Sequence, residues 1–138
     1  MKSLTSNDLF KRLRMQWPHL RLIERNQWGN VKLSDNAYDV LSRGESVGLL
    51  QKSFWQRLSE APPRKEVNDC DDISIAAMTR ARAKHTGSLP PAIGYVSGLI
   101  DGFHHAVNLI VTPGDIWFWD DRLDKILVPG NEVYFIWV

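Results

Sequence analysis

The chain changes character at Pro90-Pro91: helical spacing dominates before this pair and strand-like runs follow it. Ala92 to Val96, His105 to Val111, Ile116 to Trp119 and Val133 to Val138 are β-branched or aromatic stretches. Gly98, Gly102, Pro113-Gly114 and Pro129-Gly130 punctuate them. Helices first and a meander of strands last predicts an α+β fold rather than an alternating parallel one. A chain of 138 residues supports one core but not two, so 1–138 is expected to be a single domain.

Upstream, Ser6-Asn7-Asp8 followed by Leu9, Phe10, Leu13 and Met15 reads as a capped amphipathic helix ending before Pro18. Leu20 to Ile23 and Gly29 to Leu33 read as short extended pieces, and 34–39 as polar chain. Val47, Leu50, Phe54, Trp55 and Leu58 recur at helical spacing, predicting one helix from Ser46 to Leu58 with Ser46 as cap. Ala61-Pro62-Pro63-Arg64-Lys65 is the clearest break, a loop delivering Cys70. Asp71 to Lys84 is expected to be a central helix, because Ala76, Ala77, Ala81 and Ala83 favour helix and allow close packing.

With 43% hydrophobic and 24% charged residues, disorder is not expected. A net charge of +1 gives no reason to expect nucleic acid or a membrane as partner. No apolar run approaches the roughly 20 residues that cross a bilayer, and the first residues lack the apolar stretch of a secretory signal. The lone Cys70 fits a reducing compartment, so a cytoplasmic location is expected. The six tryptophans are expected mainly as core pieces.

Cys70 opens the alanine-rich helix, His105 begins an apolar strand and Asp120 ends another, in the chain order of a thiol-dependent hydrolase. A helix N-terminus and a nearby imidazolium lower a thiol's pKa, as nucleophilic attack requires. A carboxylate on the other ring nitrogen would orient the imidazole, with Asp121 and Asp124 competing with Asp120 for that place. Alternation along a strand allows only one of His104 and His105 to face a cleft. Oxyanion donors would be the backbone N–H of Cys70 and a side chain among Gln56, Asn68 and Trp55. Asp69, Asp71 and Asp72 beside the thiol oppose its activation. They either turn away, capping the helix or pairing with Arg80 or Arg82, or hold a hard cation such as calcium. No Gly-rich phosphate loop, paired-cysteine zinc pattern or Gly-x-Ser-x-Gly elbow is present.

Asn68-Asp69-Cys70-Asp71-Asp72-Ile73-Ser74-Ile75-Ala76, His105-Ala106-Val107-Asn108-Leu109 and Ile116-Trp117-Phe118-Trp119-Asp120 up to Asp124-Lys125-Ile126 resemble the papain-like C-terminal domain of fungal agglutinins and its stand-alone phage and bacterial relatives. A weaker likeness is to bacterial transglutaminase-like cysteine proteinases. The resemblance implies a papain-like/transglutaminase-like fold, with N-terminal helices and a Cys-bearing helix packed on a C-terminal antiparallel sheet. It also implies a triad of Cys70 as nucleophile, His105 as base and Asp120 as orienting acid, with aspartate where glutamate is common. No cofactor is required, although the calcium dependence of studied members makes calcium conceivable. It leaves no chain for the sugar-binding domain of the fungal proteins. The expected function is a small cysteine hydrolase, a protease or amidase acting on a protein or peptide through an acyl-enzyme, or a transglutaminase if an amine is the acceptor. The alternative is a non-catalytic module of papain-like shape, such as a phage protein engaging a host protein.

Overall fold

A computed structural model describes residues 2–25, 27–59, 69–100 and 102–138. The first helix, α1 (Ser6–Gln16), follows strand β1 (Lys2–Thr5). Its cap is Thr5, just before the Ser6-Asn7-Asp8 run that reads as the capped start: the Thr5 hydroxyl accepts the N–H of Asp8 at 3.2 Å. Leu9 and Leu13, one turn apart, are its buried face. Next come β2 (Val31–Lys32) and β3 (Ala37–Val40).

The single helix expected over 46–58 is two helices, α2 (Arg43–Leu50) and α3 (Phe54–Ser59). Ser42, not Ser46, caps α2, through a reciprocal box with Glu45. Gln51 leaves the helical region at ψ 134, and Ser53 then exchanges hydrogen bonds with Gln56 to start the next turn. The hydrophobic spacing spans the gap, but these polar side chains compete locally for the backbone and break it.

Helix α4 (Cys70–Lys84) has Asp69 as cap and Asp72 as its capping-box partner. Its buried Ala77 and Ala81 bring it close to strands β4 (Ile93–Ile100) and β5 (Phe103–Val111). Strands β6 (Ile116–Asp120), β7 (Lys125–Leu127) and β8 (Glu132–Trp137) complete a six-stranded sheet of order β2-β8-β4-β5-β6-β7. Every pairing in it is antiparallel except β2 with β8, where Val31 lies parallel to Ile136. A separate ribbon joins β1 to β3.

Alternation along the strands gives the sheet two apolar faces. Val107, Leu109 and Val111 of β5, with Phe118 and Ile136, meet Leu9, Leu13, Trp17 and Leu20 in the larger core. Ile93, Ile110 and Trp119 meet Leu50, Ala77 and Ala81 in the second. The fold is α+β, and the cysteine-bearing helix does pack on the C-terminal sheet. The sheet is not purely antiparallel or purely C-terminal, because β2 joins its edge.

Candidate functional site

His105 and Asp120 are brought together across β5 and β6. The imidazole Nε2 lies 3.3 Å from Asp120 Oδ2, while Oδ1 accepts the N–H groups of Arg122 at 3.1 Å and Leu123 at 3.4 Å. Burial would raise the Asp120 pKa. The bonds from His105, Leu123 and Arg122, together with the charge on His105, outweigh that and hold it below the ordinary carboxylate value.

Cys70 has a different neighbourhood. It is half-buried at the first position of α4. Asp71, beside it, accepts the Tyr95 hydroxyl at 2.6 Å. Burial, that donated bond and the negative charge of Asp71 raise the Tyr95 pKa. One turn on, the Ser74 carbonyl accepts from buried Asn108 of β5 at 2.7 Å, and Asn108 also donates to Gly94 O at 3.0 Å. Asn108 and Ile110 thus face α4. His105 has the opposite parity, that of Val107 and Leu109, and Asp120 has that of Phe118. Among the described residues, no hydrogen bond joins Cys70 to His105. The acid–imidazole half of the expected triad is in contact, and the hydrogen bonds around Cys70 run through Asp71, Tyr95, Ser74 and Asn108.

The remaining candidates have local partners. Asp69 and Asp72 cap each other and Asp71 turns to Tyr95, so the three carboxylates diverge. Among the described residues no group of three His, Cys, Asp or Glu could hold a metal. Arg80 and Arg82 pair with Asp121 and Asp35, not with Asp71 or Asp72. Gln56 Oε1 accepts the Ser53 N–H at 2.7 Å. Asn68, like the Ala61 to Lys65 loop, lies outside the described residues. Asp121 and Asp124, rivals for the orienting role, bind Lys52 with Arg80 and Arg57 respectively. His104 rests against the Tyr134 ring at 5.5 Å.

A groove that sequence reasoning missed lies beside α1. It has a volume of about 770 Å³ and is lined by Phe10 and Arg14 of α1 and by Arg21, Glu24, Gln27 and Trp28 of the following segment. Trp28 is 97% exposed, whereas Trp17 and Trp119 are buried as expected of core tryptophans. The segment is nonetheless ordered by its backbone. Ile23 N–H reaches Val31 O at 2.8 Å, Gln27 N–H reaches Glu24 O at 3.0 Å, and Arg21 N–H reaches Asn30 Oδ1 at 2.7 Å. Gly29 is required there, since a Cβ would overlap the Leu22 carbonyl. The available signal was Gln27-Trp28-Gly29-Asn30: a tryptophan set between turn-forming residues has no apolar stripe to join.

No family model matches the chain, and no curated protein does. Solved structures share its fold, among them the following two. One is a PSL1a–E64 complex, with a TM-score of 0.70 and 25% identity over 99% of this chain and 50% of that one. The other is Polyporus squamosus lectin bound to the human-type influenza-binding epitope Neu5Acα2-6Galβ1-4GlcNAc, with a TM-score of 0.68 and 25% identity over 99% of this chain and 49% of that one. The chain therefore spans about half the length of the structures it matches. These likenesses correct the sequence-based family expectation: the fold is shared with structures described as a lectin and a PSL1a complex, not as papain-like peptidases. The expected cysteine-hydrolase and thiol-protease reading falls with it.

Proposed function

We propose that the chain is a non-catalytic binding module whose ligands are glycans. The observation behind this reading is the likeness over 99% of the chain to a lectin holding a sialylated trisaccharide. It replaces the expected protein or peptide substrate with a carbohydrate, and departs from the expectation that sugar binding has no place in this chain. A binding module needs no activated thiol, so the reading also accommodates a Cys70 whose bonded neighbours are the tyrosine–aspartate pair at the start of α4.

Isothermal titration of the purified chain with Neu5Acα2-6Galβ1-4GlcNAc, alongside a panel of other glycans, tests the reading. Saturable binding to at least one glycan, unchanged by Cys70→Ala, is the expected result. Absence of saturable binding across the panel would overturn it, as would dependence of binding on the thiol.

A further inference from the structure

We propose that the groove between α1 and residues 20–25 and 27–28 is the carbohydrate-contacting site, with Trp28 as its stacking platform and Arg14 and Arg21 selecting an acidic sugar. The inference rests on the glycan-binding reading and adds to it a location and a charge preference.

The argument begins with Trp28. An indole is among the largest apolar surfaces a side chain can present, and leaving one in water forgoes its burial. Fraying does not account for the exposure, because the backbone bonds on both sides of it: Gln27 N–H to Glu24 O before it, and Asn30 and Val31 with Arg21 and Ile23 after it. A flat apolar face held in place at a groove suits a ligand with a flat apolar face of its own. A pyranose has one in its axial C–H groups, and stacking removes both surfaces from water.

The groove's polar groups suit the rest of such a ligand. Hydroxyl-rich edges are bound by planar side chains that make paired hydrogen bonds, and Arg21, Glu24 and Gln27 are of this kind. Arg14 is held at the wall by its stack over Phe10, 6.0 Å from guanidinium carbon to ring centroid, and by one long bond of 3.4 Å to Pro18 O. That bond uses one of its five donors. Two guanidinium groups against the single carboxylate of Glu24 give the lining a positive balance, which favours a carboxylate-bearing sugar over a neutral one. A protein partner would also use an exposed tryptophan, but as the dry centre of a flat patch rimmed by polar groups. Here the indole stands at a polar concavity.

The test titrates the full chain with the sialylated trisaccharide and with neutral Galβ1-4GlcNAc, following tryptophan fluorescence and saturation-transfer NMR. Trp28→Ala is expected to weaken the trisaccharide by about tenfold or more, and Trp28→Phe to restore most of that loss. Arg21→Gln is expected to weaken the acidic ligand by roughly fivefold while changing the neutral one by less than about twofold. Trp55→Ala, which alters the other strongly exposed tryptophan, should leave both affinities in place. If the chain binds glycans and Trp28→Ala binds as tightly as the parent, the groove assignment is wrong while the binding reading survives. Equal affinity for the acidic and neutral sugars overturns the charge preference. No glycan binding by the parent chain removes both. Circular dichroism of each variant separates lost contact from lost fold, and Trp28→Phe keeps the question decidable if Trp28→Ala unfolds.

Discussion

Asp120 is a 5%-exposed carboxylate whose charge is held by His105 and two backbone N–H groups. Its pKa is lowered in the folded state, so its stabilisation is complete above the unfolded value of 3.8 and fades as the pH falls through the folded one. Asp120→Asn keeps the shape and removes the charge. Urea unfolding of the two proteins should show the parent more stable near neutrality and the gap closing below about pH 4. A gap that persists unchanged to pH 3 would mean that the carboxylate charge does not matter. At this scale Cys70, His105 and Asp120 could all be picked out of the sequence by type and spacing. What spacing does not give is which face of a strand a side chain occupies. Strand parity counted from Asn108, which bonds Ser74 O, gives His105 the face shared with Val107 and Leu109.

Among elements, α4 shows how a local motif outranks composition. Four acidic or amide residues surround Cys70 in the sequence, and the two that matter to the helix are Asp69 and Asp72, which satisfy each other's N–H groups. Asp69→Ala should cost about 1 kcal/mol, within the 0.5–2 range for N-caps, and Asp69→Asn should recover most of it in thermal unfolding. The main strands and α4 were legible because β-branched and alanine-rich runs are long enough for their period to show. Strands β1, β2, β3 and β7 are two to four residues long and offer no readable period. They exist because neighbours offer open backbone groups, as when Asp39 N–H finds Pro90 O and Ala92 N–H finds Asp39 O. The break between α2 and α3 was hidden for the converse reason: apolar spacing continued across residues whose polar side chains end the helix.

For the whole molecule, Asp121 ties distant parts together. Its side chain, 2% exposed, takes Lys52 Nζ at 3.0 Å and Arg80 at 2.8 Å, and accepts the Trp119 indole N–H at 3.0 Å. The chain just after α2, the centre of α4 and the end of β6 therefore share one carboxylate. Removing one member of a buried charge cluster leaves the others desolvated, so Asp121→Ala should lose about 3–5 kcal/mol in denaturant unfolding. A loss under about 1 kcal/mol would show the cluster to be solvated. The overall α+β class followed from helices preceding strands, but the proposed ligand class did not. The groove draws on α1 and a turn-rich stretch, and the feature that marks it is an exposure that only the folded chain reveals.

Helix α1 rests on parts of the chain made much later: Trp17 donates to Gly130 O at 2.8 Å, and His19 contacts Val133 O at 2.6 Å. During synthesis, the oily side of that helix emerges from the ribosome long before its resting place exists. Leu9, Leu13 and Trp17 must wait in solution or in the keeping of a chaperone. Closure of the larger core is thus a late, long-range event, and the slow step of refolding is expected to be the docking of α1 onto strands translated well after it.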